Sequence, residues 1–363
     1  MQNYNIPSLP LARDVETKRV MKKVAEARAA LAELKGVHGI LPNVGILLNT
    51  LALQEAKDSS AVENIITTHD ELFRAELNLS KVKSIAAKEV QHYSLALKTG
   101  FELVMRDKLI TNTHILHIHR ILEQNDAGYR NVPGTELKND KTGEIVYTPP
   151  QSKQEIVNHM GNLIAYINDD SGDDADYLVK MAIIHHQFES IHPFYDGNGR
   201  LGRIINILYL VAKELLDFPS LYLSRYIIQN KAEYYRLLQA VREHDYWEDW
   251  IIYMLDAVCS VSKQSASLIK AIRDEMQRYK NRIRTEHPRM YSQDLLNSLF
   301  KHPYTKIDFL MEDLGVSRQT AAKYLDSLTE NTHNLLEKIK IGRDNFYVNT
   351  GLMKLFTEYD YKL

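Results

Sequence analysis

The sequence predicts a mainly α-helical protein with one short β-hairpin and a small C-terminal module of helices and two strands. Long stretches of helix-forming residues repeat their apolar positions every three to four residues, and one pair of β-prone runs flanks a turn. The character of the chain changes after Pro288. We therefore expect an N-terminal helical region at 1–100, a core at 101–257, a connecting helix at 258–288 and the module at 289–363.

The composition narrows the class of protein. Of the 363 residues, 44% are hydrophobic and 25% are charged, as in ordinary globular proteins, and the formal net charge of -2 offers no general attraction for nucleic acids or anionic membranes. A single cysteine, Cys259, excludes an internal disulfide framework. The sequence shows neither a secretory signal nor a long apolar segment, so we expect a cytoplasmic protein without a membrane partner.

Helical patterns fill most of the chain. We expect a helix from Glu16 to Gly36 with the glycine as its C-cap, and a helical pattern from Glu63 to about Thr99. Further helices are expected from Asp173 to Ile191 and through the run RIINILYLVAKELL. The charged connecting helix should end just before Pro288.

The hairpin is expected between Arg130 and Pro150. The residues NDKTG have turn chemistry, and the runs on either side favour strands. Such an exposed hairpin is either a decorative loop or a free edge on which an extended peptide docks.

The C-terminal module resembles a winged helix-turn-helix, with a turn at Gly315 and two strands around Gly342-Arg343. DNA binding is one interpretation, but acidic and basic residues are mixed over 301–363 without a basic stripe, which favours protein docking or dimerisation. The residues expected on the recognition helix are Ser317, Arg318, Gln319, Thr320 and Lys323.

The stretch HPFYDGNGRLGR, from His192 to Arg203, combines groups that suit a nucleotide. Gly197, Asn198 and Gly199 precede a helical run, where bare backbone N–H groups and a helix N-terminus can hold an anion. A tight turn without function is the alternative, and the spacing differs from that of a Walker A loop.

The charged groups of this stretch extend the same interpretation. Arg200 and Arg203 share one helical face and suit a di- or triphosphate. Asp196 would repel that anion unless it binds Mg²⁺ or Mn²⁺ together with phosphate oxygens. His192 could take a proton from an attacking hydroxyl, and Phe194 would anchor the loop.

The same stretch resembles the signature of the Fic family, HPFx[D/E]GNGRxxR, at every defined position. The resemblance implies a Fic-type helical core with a hairpin flap, and transfer of AMP from ATP to a Ser, Thr or Tyr hydroxyl of a target protein. It also suggests a homodimer and makes His192 the base and Asp196 the metal ligand. The ATP-binding residues that it implies are His192, Gly197, Asn198, Gly199, Arg200, Leu201, Gly202, Arg203, Tyr235 and Leu238.

A second motif lies far upstream, at Ser59 to Asn64. On local grounds Ser60 to Glu63 is a capping box at a helix start. Self-restrained members of the Fic family carry [S/T]xxxE[G/N] on a helix before the core, and Ser59, Glu63 and Asn64 match it. The resemblance implies that Glu63 pairs with Arg203 and thereby inhibits productive ATP binding.

Several alternatives stay open at this point. The loop could transfer phosphate or another nucleotide, the glutamate could support removal of AMP, and self-modification is possible. A DNA-binding regulator with a vestigial enzyme half is the alternative from another class. The histidine-rich stretch with His185, His186 and Glu189 could hold zinc, but it lacks the HExxH spacing. The simpler interpretation is that His186 and Glu189 pair with each other or support the loop.

Overall fold

The computed structural model describes residues 4–41, 44–69, 71–72, 84–139, 142–169, 172–329, 335–341 and 344–359. The N-terminal part is helical. Thr17 caps the first helix, because its side chain accepts a hydrogen bond from the amide of Val20 at 3.2 Å. The helices of this part are α1 (Lys18–Val37), a 3-10 turn (His38–Ile40), α2 (Val44–Val62), α3 (Ile85–Asp107) and α4 (Asn112–Glu123).

The central part follows the order expected from the sequence. A two-stranded antiparallel hairpin precedes a set of helices, and its turn residues 140–141 lie outside the described residues. The elements are β1 (Leu137–Lys138), β2 (Ile145–Tyr147), α5 (Lys153–Asn168), α6 (Tyr177–Ile191), α7 (Asn198–Ala212), α8 (Leu223–Gln229), α9 (Lys231–His244) and α10 (Trp247–Glu286).

The centre of the core is helix α6. Every residue from Leu178 to Ile191 is buried, and α7 packs against it with nearly all of its residues buried as well. A helix that is buried all round needs apolar residues on every face, which explains the weak periodicity of this segment in the sequence. The signature stretch therefore connects two helices that are almost fully buried.

The two helices around Gly315 and the two later strands predicted for the C-terminal module are present, and the structure adds a helix before them, a short strand and a last helix. Gly315, in a left-handed conformation (φ 64°), ends the first helix of the helix-turn-helix pair. The three strands pair in the order β3-β5-β4, all antiparallel. The elements are α11 (Gln293–Lys301), β3 (Tyr304–Thr305), α12 (Ile307–Leu314), α13 (Arg318–Ser327), β4 (Leu336–Ile341), β5 (Asp344–Asn349) and α14 (Thr350–Tyr359).

Two helix boundaries in the N-terminal part differ from the sequence-based predictions. Helix α2 ends at Val62, so Ser60 to Glu63 is not a capping box at a helix start. Residues 65–68 are not helical, and the next long helix that the structure describes begins at Ile85. Gly36 is not a C-cap either, because α1 continues through it to Val37 and passes into the 3-10 turn.

Helix α10 joins the core to the C-terminal module without a break. Its 40 residues end at Glu286, as predicted from Pro288, but it begins at Trp247, so the expected boundary at residues 257/258 lies inside one continuous helix. Helix α11 of the module also packs against α2. The module is therefore in contact with the helix that leads to Glu63.

Within the described residues no single helix has the length and apolarity needed to cross a membrane; the bent pair 18–40 and 45–62 reaches them only jointly, across an angle of 116°.

Candidate active site

The loop between α6 and α7 is fixed by hydrogen bonds to its own backbone. Asn198 accepts a hydrogen bond from the amide of Phe194 at 2.9 Å and donates one to the carbonyl of the same residue at 2.9 Å. The ring of Phe194 is buried and stacks on His119, with 3.7 Å between ring centroids, so it anchors the loop as expected. The side chain of Asn198 thus binds the loop backbone through both Oδ1 and Nδ2, and donation to phosphate by its backbone N–H or by the second hydrogen of Nδ2 stays a prediction.

His119 holds the loop from outside the signature. It lies on α4, is buried, and its Nε2 donates a hydrogen bond to the carbonyl oxygen of Asp196 at 3.1 Å. Its contact with the loop makes it a support for Asp196.

His192 lies at the end of α6 in a left-handed conformation (φ 47°), which is uncommon for a residue with a side chain. It is half-buried, and its Nδ1 is buried without a hydrogen-bond partner among the described residues. Nε2 is therefore the nitrogen that can face a substrate. Burial, together with the charges of Arg130 and Arg242, lowers the pKa of His192 to about 3, so its ring is neutral at physiological pH.

The two glycines of the loop leave no room for a side chain. Gly197 has φ 73°, and a Cβ atom built on it would lie 2.2 Å from Oε1 of Glu123. A Cβ atom on Gly199 would lie 2.5 Å from Oε1 of Glu63. At both positions a carboxylate oxygen approaches the N-terminal end of α7, the place where an anion is favoured.

Arg200 is enclosed by carboxylates. It is 3% exposed, and its nitrogens lie 2.8 Å from Glu63, 3.1 Å from Glu89 and 2.9 Å from Glu123. Asp196 is farther away, at 3.9 Å. A buried guanidinium requires compensating negative charge, and here side-chain carboxylates supply it.

Arg203 is also buried, and it has two partners near the end of α2. Its Nη2 donates to Oε1 of Glu63 at 2.9 Å, and it makes bonds of 2.8 Å and 2.9 Å to the hydroxyl and carbonyl of Ser59. The pair expected between Glu63 and Arg203 is thus present. The sequence did not predict that Glu63 would contact Arg200 as well.

Asn64 explains how Glu63 reaches this position. Its backbone has φ 65°, the left-handed conformation that ends helices and that glycine and asparagine adopt most readily. Its Oδ1 accepts a hydrogen bond from Lys231 of α9 at 3.0 Å. Ser59 and Glu63 therefore lie in the last turn of α2 and just beyond it, and Asn64 turns the chain away.

The other residues predicted to bind ATP differ in how exposed they are. Tyr235 is 48% exposed and is not a core residue, whereas Leu238 and Leu201 are buried. Gly202 lies against Glu189 of α6, 3.0 Å from an added Cβ atom, so it allows α6 and α7 to approach closely. A contact of these residues with ATP stays a prediction.

Asp196 fits a magnesium ligand in its chemistry. Its side chain is 79% exposed, and it offers hard carboxylate oxygens beside the N-terminus of α7. Among the described residues no group of three or more His, Cys, Asp or Glu surrounds a common point. A metal held here would share one carboxylate with phosphate oxygens and water, which is the usual arrangement for Mg²⁺ at a nucleotide.

The histidines before the signature have structural partners. His185 is hydrogen-bonded to the hydroxyl of Tyr234 at 2.8 Å, and His186 to the carbonyl of Leu238 at 3.2 Å. The expected pairing of His186 with Glu189 is wrong. These side chains support α6 from within the core.

Glu89, Glu123 and Arg130 are site residues that the sequence analysis missed. They lie on α3, at the end of α4 and before the hairpin, and short-range patterns do not relate them to the signature. Burial raises the pKa of Glu123 to about 7, although Arg200 opposes the shift.

Substitution of Gly197 by alanine tests the close approach at the loop. We expect Gly197→Ala to lower the free energy of unfolding by about 1–3 kcal/mol, because the positive φ angle and the contact with Glu123 both disfavour a Cβ atom. Gly36→Ala is the control, since nothing lies within 4 Å of its added Cβ inside a helix, and it should stabilise by up to about 1 kcal/mol. Urea denaturation of both variants measures the difference; equal effects would contradict the prediction.

A pH dependence of stability is expected from Glu55, which attaches α2 to the core. This glutamate is buried, and it accepts hydrogen bonds from Tyr93 and from the hydroxyl and amide of Ser224. Burial raises its pKa to about 8. Because the folded state keeps the proton that the unfolded state loses near pH 4.5, the contribution of Glu55 is complete below pH 4.5 and is lost as the pH rises through 8.

The matching experiment compares melting temperatures of the wild type and Glu55→Gln from pH 5 to pH 9. The wild type should lose up to about 4–5 kcal/mol more than the variant over this range, since glutamine cannot ionise. Parallel curves for the two proteins would show that Glu55 does not titrate in this window.

Three family models match this chain and together follow its domain order. The Fic/DOC family N-terminal model matches residues 21–102, the Fic/DOC family model matches residues 109–210, and the model described as protein adenylyltransferase SoFic-like, C-terminal domain, matches residues 276–352.

Each curated relative matches a smaller share of the chain than the three family models do together. A probable protein adenylyltransferase of Aquifex aeolicus is 29% identical over 184 residues, covering 50% of this chain and 54% of that protein. Protein adenylyltransferase Fic of Drosophila grimshawi is 25% identical over 240 residues, covering 63% and 44%. The chain thus spans between a quarter and about half of the length of the curated relatives that it matches.

Solved structures show the same fold. A Fic family protein from Desulfovibrio desulfuricans G20 aligns with a TM-score of 0.59 at 19% identity, covering 92% of this chain and 97% of that one. Fic-1 (residues 134–508) from Caenorhabditis elegans aligns with a TM-score of 0.53 at 21% identity, covering 73% and 74%. These similarities support the mainly helical architecture from the N-terminal helices to the C-terminal module.

Proposed function

Because this chain belongs to the Fic/DOC family, we propose that it is a protein adenylyltransferase that transfers AMP from ATP to a Ser, Thr or Tyr hydroxyl of a target protein and that Glu63 inhibits it. One observation carries the proposal. The carboxylate of Glu63 lies within 2.9 Å of nitrogens of both Arg200 and Arg203, at the glycine-lined N-terminus of α7. An acid in this position occupies the groups that suit a triphosphate.

The reaction requires a base and an anion site on one loop. Nε2 of His192 accepts the proton of the target hydroxyl, whose oxygen forms a bond to the α-phosphorus of ATP. The bond from that phosphorus to the bridging oxygen breaks, and pyrophosphate leaves. The backbone N–H groups at the start of α7, with Arg200 and Arg203, hold the phosphates. Asp196 would hold Mg²⁺, which neutralises phosphate charge when it is bound.

Inhibition follows from competition for the two arginines. Each guanidinium that is paired with Glu63 is unavailable for the β- and γ-phosphates, so ATP would bind in an unproductive position. Ser59 reinforces this state because it also binds Arg203. Displacement of the end of α2 would free Arg203 and remove one of the three carboxylates that surround Arg200.

The hairpin of β1 and β2 is the expected flap. Its strands pair only with each other among the described residues, so each has a free edge. A target segment can add to such an edge through backbone hydrogen bonds and bring its hydroxyl to His192. Self-modification would use one of the 21 tyrosines or other hydroxyls of the chain itself.

Intact-protein mass spectrometry tests the reaction class. Wild type and Glu63→Gly are incubated with ATP and Mg²⁺, alone and with a cell extract from which modified proteins are enriched. A mass gain of one AMP on the protein or its target supports the proposal. A gain of one phosphate would instead indicate a kinase on the same fold, and no modification with either protein would refute both.

The C-terminal module is better suited to protein docking than to DNA binding. Basic residues of the module are paired with acids: Arg318 on the expected recognition helix lies 2.6 Å from Asp308, and Lys338 lies 2.6 Å from Asp326. Such pairs reduce the positive surface that DNA binding needs. Docking of a target or of a second copy, as in a homodimer, is the favoured role, and a mobility shift with genomic DNA at physiological salt would contradict it.

A further inference from the structure

The end of α6 is bound by side chains from three separate parts of the chain. The last carbonyl groups of a helix have no partner within the helix and must be satisfied by other donors. Here Arg242 of α9 donates to the carbonyl of Glu189 at 3.3 Å, and the hydroxyl of Tyr147 donates to the carbonyl of Ser190 at 2.8 Å. Each of these carbonyls lies within the last turn before His192.

Arg130 satisfies the next two carbonyls. Its side chain is fully buried; Nε donates to the carbonyl of His192 at 2.8 Å and Nη2 to that of Ile191 at 3.4 Å. The amide of Arg130 also donates to the carbonyl of Pro193 at 2.9 Å. Hydrogen bonds to the carbonyls before, at and after His192 thus hold its unusual left-handed backbone. Such surrounding contacts allow a strained conformation to persist.

The same three residues connect the base to the flap. Tyr147 is the last residue of β2, and Arg130 lies at the other end of the hairpin segment. The guanidinium of Arg242 lies over the ring of Tyr147, 4.0 Å from the ring centroid. Nε of Arg242 also donates a hydrogen bond to the hydroxyl of Ser190 at 3.2 Å. A movement of the flap would therefore reach the backbone of His192 through hydrogen bonds.

We propose that Arg130, Tyr147 and Arg242 are positioning residues, which hold His192 in the orientation of a base and couple that orientation to the flap. The inference rests on the proposed transfer reaction. Charge supports it, because positive side chains are favoured at a helix C-terminus and both arginines keep the neighbouring imidazole neutral. None of the three needs to touch ATP or the target.

The kinetic test uses the full chain with Glu63→Gly as the parent. Tyr147→Phe removes only the hydroxyl that binds Ser190 and keeps the ring under Arg242. We expect kcat of the folded protein to fall about 10-fold while KM for ATP stays unchanged, since one well-placed hydrogen bond has about this effect on a rate. The melting temperature should also fall, because the buried carbonyl of Ser190 loses its donor. A merely structural role would lower the melting temperature and leave kcat of the folded protein unchanged.

Tyr4→Phe is the matched control. The ring of Tyr4 packs edge-on against that of Tyr147 at 6.2 Å, but its hydroxyl makes no hydrogen bond within the described residues. Its kcat should equal that of the parent. Equal losses in Tyr4→Phe and Tyr147→Phe, or no loss in Tyr147→Phe, would overturn the proposal.

The second readout does not depend on transfer. The ring signals of His192 are assigned by NMR from their absence in His192→Ala, and their titration gives the pKa of the imidazole. That pKa should rise in Arg242→Gln and stay low in Arg242→Lys, because only the first variant removes the positive charge. An unchanged pKa in Arg242→Gln would refute the coupling. If the parent transfers no AMP but this titration behaves as expected, the reaction assignment fails and the positioning role stands.

Discussion

Replacement of His192 by alanine in the Glu63→Gly protein is expected to abolish AMP transfer while ATP still binds. The imidazole is neutral because burial lowers its pKa to about 3, so it can accept a proton over the whole physiological range. Loss of a general base typically lowers a rate by about 10²–10⁴-fold. Single-turnover transfer from labelled ATP measures the rate, and calorimetry measures nucleotide affinity.

The control for this variant is His244→Ala. His244 is exposed at the end of α9 and contacts Tyr246, away from the signature loop. It should leave both the rate and the affinity unchanged. If His192→Ala transfers AMP as fast as its parent, His192 is not the base; if it fails to bind ATP, its role is in binding and not in proton transfer.

Replacement of Glu63 by glycine should raise the initial rate of transfer by about 10- to 100-fold. This range corresponds to 1.4–2.8 kcal/mol for the ion pairs that the nucleotide no longer has to displace. Arg203 keeps its bonds to Ser59 in the variant, and Arg200 keeps Glu89 and Glu123, so the arginines stay ordered. Glu63→Gln should show an intermediate rate, because it retains a hydrogen-bond acceptor without the charge.

Glu71→Gly is a suitable comparison. Its carboxylate binds Thr67 and the amide of Thr68, a few residues beyond Glu63, and none of its described bonds involves the signature arginines. It should not change the rate. Identical initial rates for wild type and Glu63→Gly would refute inhibition by Glu63, whatever the reaction class.

The signature loop could be predicted from the sequence because all of its chemistry lies within twelve consecutive residues. The hairpin and the end of α10 were also predictable, since turn residues and Pro288 act locally. Glu89, Glu123 and Arg130 could not be predicted in the same way. Each reaches the loop only after α3, α4 and the hairpin have packed around α7, and no spacing in the sequence records that packing.

The error at Glu63 has a different origin. A serine followed three residues later by a glutamate fits a capping box, while asparagine after a helical run fits a helix end, and both patterns overlap between Ser60 and Asn64. Local propensity does not decide between them. Tertiary packing decides between them: Ile46, Leu51, Ala56 and Val62 are buried and Glu55 is bonded to Ser224, so the helix lies before the motif and ends at it.

The unbroken helix α10 is a stiff connection between the core and the C-terminal module. Forty residues without glycine or proline extend over about 60 Å at 1.5 Å per residue, and a rod of this kind does not fold back as a flexible linker does. The module also packs against α2, so a molecule bound to it would be held in one orientation relative to the rest of the protein.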